Sequence, residues 1–388
     1  MNSESNNIEF ETSDPVNENG KKKKAQIEKR KLPLWCKILY ALALFCGLLY
    51  FLFVKFPAFS DFFNKYISPV VRGFLSKSTD WIPFSLAECA LICLPLILVA
   101  VIAYGCKRYS GSWRNVGVFC LIILSVGAYV FSTFTLGFVP AYRGSTLDVK
   151  MGLEKSEVSA EELRDTALIL SNQLNADVTS VYFTSEGSSV MPYSYTELND
   201  KLMDAYDKAC EKYDFIQNID SNIKRVLLSE PMTYTHISGV YTFFTGEANL
   251  NINYPDFNLP YTAAHEFAHQ RGIAREDEAN FVAFLVCMES DDAYIRYSAY
   301  LNLYEYVSDA LYSANHEYYF SVDATLPNDV KRELIAYSKF FNKYRDSVAS
   351  DISGAVNDIY LNSNGVEAGS KSYGMVVDLA VAYYKKAN

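Results

Sequence analysis

The sequence predicts a membrane protein of two unlike halves, with three N-terminal transmembrane α-helices followed by an α-dominated α+β domain outside the bilayer. Three observations predict it. Three long apolar runs occupy the chain before about residue 140; Lys and Arg crowd some flanks of those runs and not others; and beyond residue 140 the chain turns Tyr-rich and acidic, with helix-capping signatures and few strand-like stretches. At 388 residues the chain is too long for one average domain. Its hydrophobic fraction of 50% and mean hydropathy near zero are averages that describe neither half. The expected division is a tail over 1–34, a membrane region over 35–138 and a folded domain over 139–388.

Residues 1–20 (MNSESNNIEFETSDPVNENG) are polar and acidic, and a lysine run follows at Lys21, Lys22, Lys23 and Lys24. This composition predicts a disordered tail whose basic end sits against anionic lipid. Nothing aromatic is interleaved with the lysines, and the chain carries a net charge of −10, so no nucleic-acid partner is expected. The first apolar run, 35–56 (WCKILYALALFCGLLYFLFVKF), has Lys37 and Lys55 near its ends, where their long stems can snorkel. The second covers 83–105 and the third 116–138. Each is long enough to cross a hydrocarbon core at about 1.5 Å per residue. Glu88, near the start of the second run, is expected to be an interfacial or bundle-facing carboxylate. The polar stretch ahead of the first run and the lack of a small-residue cleavage site argue against a cleavable signal peptide.

Orientation follows from the short flanks. The N-terminal flank carries Lys29, Arg30, Lys31 and Lys37 besides the lysine run, and the loop after the second run carries Lys107, Arg108 and Arg114. Both are expected to be cytoplasmic. The segment 57–82 spreads Lys65, Arg72 and Lys77 through an aromatic-rich stretch, which predicts an amphipathic element on the outer surface. An odd number of crossings then places 140–388 outside the cell membrane. Of eight cysteines, six lie in or beside the apolar runs, leaving Cys210 and Cys287 as a pair open to bridging; no disulfide framework and no CxxC metal site is present.

In the outer half, Ser159 with Glu162, and Ser194 with Glu197, are capping-box signatures that open helices, the second running to about Lys212. The stretch 177–184 (DVTSVYFT) has the β-branched and aromatic content of a strand, as do 225–228 and 237–244. A strand ahead of a metal-binding helix can hold an extended peptide by main-chain hydrogen bonds, or can be a plain hairpin. Pro260 and Thr262 introduce a helix that Gly272 ends as a C-cap. Further helices are expected at 275–288, 294–312, 329–346 and 372–385.

The chemistry concentrates in 262–288, TAAHEFAHQRGIAREDEANFVAFLVCM. His265, Glu266 and His269 form an HExxH motif. Residues four apart share a helix face, so both imidazoles can meet one metal ion, with Glu266 beside a metal-bound water. A catalytic Zn2+ takes three protein ligands and keeps one position open. The third ligand must come from beyond Gly272; Glu276, Asp277 and Glu278 are the candidates, Glu276 preferred and Glu278 next. For a developing oxyanion, Tyr297, His236 and Arg296 are the sequence's candidate donors, although His236 and His316 read first as ordinary surface or packing histidines.

HEFAH resembles the zinc motif of the zincin metallopeptidases. Glu276-Asp277-Glu278-Ala279-Asn280 is similar to the ExxA(D/N) element of the gluzincin branch, which implies Glu276 as third ligand and Asn280 as the residue that orients a ligating histidine. The sequence departs from that pattern in the short gap between His269 and Glu276 and in having Asn at 280. Gly272 falls where metzincins place their glycine, but Arg275 stands where their third histidine belongs. The wider stretch, GVYTFFTGEANLN, LPYTAAHEFAHQRGIAREDEANF, RYSAYL and NGVEAGSKSYGMVVDL, resembles an uncharacterised family of bacterial membrane proteins over most of 140–380. The resemblance implies a zincin-like domain that hydrolyses peptide bonds of a peptide or protein substrate, with Glu266 as general base. The alternatives are a non-catalytic protein with a structural or partner-binding zinc site, and a zinc amide hydrolase acting on cell-wall material.

Overall fold

All three apolar runs are helices in the computed structural model, which describes residues 29–154, 156–366 and 375–387. The expected disordered tail, up to residue 28, and the expected start of the last helix at 372 lie outside the described residues. The first run is α1 (Leu34–Lys55); two shorter helices, α2 (Pro57–Tyr66) and α3 (Ser68–Asp80), precede the second and third runs, α4 (Leu86–Tyr109) and α5 (Trp113–Gly137). By length and composition α1, α4 and α5 can each cross a membrane. Leu44, Leu91, Leu96 and Val99 stand 67–78% exposed on their outer faces. That surface is unfavourable in water and at home in lipid, so the chain reads as a membrane-associated, mostly helical protein. Small residues let the spans approach: Ser125, Ala128 and Ser132 of α5 are buried where α1 packs, with Cys36 and Cys46 against Ser125 Oγ and the Ser132 carbonyl. A Cβ at Gly105 would come within 2.4 Å of the Phe119 ring, so glycine permits α4 and α5 to close.

The expected amphipathic stretch forms two helices, α2 and α3, which are docked on the rest of the chain. Lys65 pairs with Asp214 and Lys77 with Asp220. Arg72 is buried and donates to the carbonyls of Gly137 and Arg271, at 2.7 and 3.4 Å, and to Asn64. These carbonyls end α5 and the helix of the HExxH motif, where a cation offsets the negative end of each helix dipole. Lys224 donates to the carbonyls of Thr79, Asp80 and Ile82 and so caps α3. Glu247 accepts from the Leu86 and Ala87 amides at the start of α4, and Glu88 accepts from Leu227 and Leu228. Glu88 is thus a docking carboxylate. The α2–α3 segment and the chain beyond α5 therefore pack together, with contacts at the start of α4 and the end of α5.

The C-terminal half begins with α6 (Val139–Arg143), α7 (Leu147–Met151) and α8 (Ala160–Asp177), then α9 (Tyr195–Lys212). Both expected capping boxes, Ser159–Glu162 and Ser194–Glu197, are formed. The strand expected over 177–184 is absent: α8 runs to Asp177, a 3-10 turn spans Val178–Ser180, and only the single bridge Phe183–Ser189 remains. The apolar stripe Leu163, Ala167, Leu170 and Leu174 is wholly buried in the domain core, which carries the helix to the edge of the strand-like stretch; within that stretch only Phe183 finds a pairing partner.

The sheet is small. β1 (Lys224–Arg225), α10 (Ser229–Thr233), β2 (Gly239–Thr242) and β3 (Glu247–Leu250) follow in order. β3 lies centrally, parallel to β1 and antiparallel to β2, which leaves one side of β2 unpaired. Then come α11 (Asn258–Gln270), α12 (Glu276–Met288), α13 (Ala293–Ala314), α14 (His316–Asp323), α15 (Asn328–Phe341), α16 (Val348–Ser363) and α17 (Val376–Ala387). Every residue of α11 is buried. At its C-terminal end Gln270 bonds Ser221, Ser76 and the Gly246 carbonyl, and the guanidinium of the next residue, Arg271, lies 3.8 Å over the Tyr206 ring. Cys210 and Cys287 are free thiols.

Candidate metal centre

The local sequence explains why the end of α11 is a rigid platform. Gly272 adopts φ +87°, a conformation that L side chains rarely take. Its N–H donates to the His269 carbonyl and the Ile273 N–H to the Ala268 carbonyl, at 3.0 and 3.1 Å, which is a Schellman motif. The turn brings the Ile273 carbonyl back to His269 Nδ1 at 2.7 Å. A carbonyl only accepts, so Nδ1 carries the proton and Nε2 presents a lone pair. α12 then starts at once, with Glu276 in its first turn, where the helix dipole favours a carboxylate.

The two helices bring His265, His269 and Glu276 together, one ligand atom of each lying within 4.8 Å of the others. Glu276 Oε2 is 3.2 Å from His265 Nε2 and 3.4 Å from His269 Nε2. Donors about 2.1 Å from a tetrahedral zinc ion are separated by roughly 3.4 Å, so this donor set fits that ion. Glu278 faces away: it accepts from the Leu147 amide and from Arg275. Asp277 is buried outside the group. Asn280 lies beside His265. His265 Nδ1 and Asn280 Nδ2 have no hydrogen-bond partner.

Glu266 lies next to the cluster, buried, with Oε2 unpartnered. The Tyr241 backbone N–H faces its carboxylate, and Gly239 yields the space: a Cβ there would meet Glu266 Oε1 at 2.5 Å. The unpaired side of β2 therefore runs past Glu266. Burial, with Glu276 nearby, pushes the Glu266 carboxyl up to about 8. Burial opposes charge on His269 and Glu276 as well, but their mutual attraction overcomes it, lifting His269 to about 9 and holding Glu276 well below the usual carboxylate range. Burial and the charge of His269 lower His265.

The structure gathers His265, Glu266, His269 and Glu276 and scatters the donors suggested for an oxyanion. Tyr297 donates to Glu333 in the core, Arg296 pairs with Asp177, and His236 meets the Tyr344 carbonyl at 2.8 Å. His316 stacks on Tyr312. Sequence reasoning missed Tyr306 of α13 and Tyr360 of α16, whose phenols feel the Glu276 charge and which burial pushes up to about 12. It also missed Phe138, whose ring centroid is 6.1 Å from that of His269. No pattern within a single segment marks these residues; chain folding alone brings them in.

Three apolar spans and a helical domain carrying a buried His–His–Glu cluster define a class of protein, a membrane-associated helical protein with a candidate metal centre. The chain belongs to the family described as protein of unknown function (DUF3810), whose sequence model matches residues 63–381, from α2 into α17. No curated protein and no solved structure matches it.

Proposed function

We propose that the protein is a membrane-anchored, zinc-dependent peptidase with a zincin-like outer domain, in which His265, His269 and Glu276 hold the ion and Glu266 is the general base. A zinc ion held there would supply Lewis acidity, lowering the pKa of water and polarising a carbonyl. Glu266 takes the proton of the attacking water and passes it to the leaving amine. Its unpartnered oxygen in a buried, polarised position is the observation that carries the proposal, because a purely structural site has no use for it. The outward main-chain groups of Gly239 and Tyr241 align an extended peptide beside Glu266. Tyr306 and Tyr360, kept protonated, donate to the charge that develops on the carbonyl oxygen. The Lys and Arg asymmetry supports a cytoplasmic N-terminus and an extracytoplasmic domain.

Metal analysis of the full-length protein tests this. The wild type is expected to bind about one zinc per chain and Glu276→Ala to lose it, while Glu266→Gln keeps the metal and loses hydrolysis. Undiminished hydrolysis in Glu266→Gln ends the assignment. Screening peptide and peptidoglycan libraries separates a peptidase from an amide hydrolase of cell-wall material.

A further inference from the structure

The candidate metal centre is shut in. His265, Glu266 and His269 are each 9% exposed or less, and the Glu276 side chain 13%, which leaves a peptide no direct approach to them. Two kinds of element build their cover. Phe138 after α5, Tyr142 of α6, Tyr241 of β2 and Ala274 before α12 belong to the body of the protein. Leu361 of α16 and Val366 just beyond it complete the same buried cluster. Phe138 faces His269, Tyr142 stands 5.5 Å from Phe138, and Tyr360 stands 6.1 Å from Tyr142, between ring centroids. Tyr360 also feels the Glu276 charge, which puts the end of α16 over that ligand.

α16 is the lightly seated part of this cover. Within 345–366 the buried residues are Leu361, Asn364 and Val366, whereas every residue of α11 is buried. The chain is held on either side of that stretch. Before it, Tyr344 is buried, its carbonyl meeting His236 Nε2 at 2.8 Å and its hydroxyl accepting from Asn253 at 3.0 Å. After it, α17 is rooted in the core through Val376, Leu379 and Ala380. A segment with few buried groups between two fixed points opens at lower cost than the core around it. A latch closes its C-terminal end. Arg143 donates to the Ser363 carbonyl at 3.3 Å and to the Tyr50 hydroxyl of α1 at 3.4 Å, and the Tyr142 hydroxyl donates to that of Tyr360 at 3.5 Å. Gly365, at φ +88°, lets the guanidinium in, since a Cβ there would come within 2.5 Å of Arg143 Nη1.

We infer that 345–366 is a strap that keeps the metal centre closed and swings away to admit a peptide to β2 and Glu266. The inference rests on the hydrolytic reading of the His265–His269–Glu276 cluster. Opening withdraws Leu361 and Val366 from the apolar cluster and Tyr360 from Tyr142, and so uncovers the side of the site at Glu276. Closing over a bound peptide returns the Tyr360 phenol to the carbonyl. Arg143 is a positioning residue, holding the end of the strap to a membrane span. Its removal should favour the open form by roughly fivefold, the net worth of one hydrogen bond. A gate speeds entry and exit alike and leaves the affinity for what it encloses unchanged, whereas damage to a ligand speeds exit alone.

The test uses full-length protein in phospholipid nanodiscs. Zinc release to excess chelator and zinc uptake, followed with a fluorescent indicator, are both expected to quicken about fivefold in Arg143→Met, with the Kd for zinc unchanged. Leu361→Ala, which loosens the same end, serves if Arg143→Met does not fold. Hydrogen exchange on the metal-free protein gives a readout that needs no zinc. The amides of α16 should exchange together and well before those of α17, and faster still in Arg143→Met. Release quickened without uptake would overturn the proposal, as would unchanged rates in both variants or an α16 that exchanges only with α17. For a peptide found by the library screen, kcat/KM should rise several-fold in Arg143→Met, through KM rather than kcat. Quickened zinc exchange with no such rise would mean that the strap gates the ion and not the peptide, and would also overturn it. Coupled changes in zinc rates and α16 exchange, without hydrolysis by either form, would sink the hydrolytic reading and leave the strap standing.

Discussion

A buried carboxylate oxygen with no donor costs stability, and Glu266 has one at Oε2. Its carboxyl is raised from an ordinary 4.5 to about 8 in the metal-free protein. A raised acid makes the fold bind its proton more tightly than the unfolded chain does. The associated stability is therefore complete below about pH 4.5 and lost as pH rises toward 8. At pH 7 the loss is on the order of 3 kcal/mol. Glu266→Gln in chelator-treated protein is accordingly expected to raise Tm, with a gap that widens from pH 5 to pH 8; a lower Tm across that range would contradict the burial argument. His269 gives a second titration. Raised to about 9, it is protonated at pH 7 until a metal takes Nε2, so zinc uptake must expel a proton. Zinc affinity should then climb by about tenfold per pH unit between pH 6 and 8, and calorimetry in buffers of different ionisation heat should record the released proton.

Helix ends and strand edges set the site at the next scale. The turn at Gly272 orients His269 through the Ile273 carbonyl, and a Cβ there would also come within 2.5 Å of the Arg72 guanidinium. Gly272→Ala should cost about 1–2 kcal/mol for the left-handed backbone alone. Because the carbonyl that orients the ring moves, zinc affinity should fall by about 10–100-fold, readable by competition with a chromogenic chelator. On β2, Gly239→Ala thrusts a methyl group into Glu266. It should depress kcat by more than tenfold, roughly the scale of one misplaced acid–base group, with zinc content unchanged. Loss of zinc with loss of activity would show instead that Gly239 supports the ligands.

Across the whole molecule, the membrane half and the C-terminal half are joined both by an apolar cluster around Phe138, Tyr241 and Leu361 and by buried polar groups. Arg72 is the chief of them: it touches the ends of α5 and α11 at once, and burial pushes its pKa down to about 10. Arg72→Met removes the donor that serves both carbonyls. A loss of about 2–4 kcal/mol is expected from orphaning them, seen as protease cleavage in the α2–α3 segment before the outer domain melts. For topology, single cysteines replacing Gly111 and Glu186 in a cysteine-free background should react with an impermeant maleimide only at 186 in intact cells; labelling at 111 alone would invert the orientation.

Amino-acid order alone disclosed whatever depends on neighbours within a turn or two. The apolar runs, both capping boxes, the Gly272 stop and the pairing of His265 with His269 were all legible, because hydrophobic length, side-chain capping and the four-residue helical repeat are local. Where Glu276 and Glu278 compete, local pattern ranks them weakly; the turn of α12 decides, aiming one at the imidazoles and the other at Leu147 and Arg275. Strand-like composition at 177–184 built no strand, since a strand needs a pairing partner and only Phe183 meets one, at Ser189. Lys65, Arg72 and Lys77 counted only as charge in a loop until docking gave them partners far away in the chain. Only the tertiary structure could set Gly239, Tyr241 and Phe138 around Glu266 and His269, because contacts between separate elements, from about 25 to 131 residues apart, leave no period in the sequence.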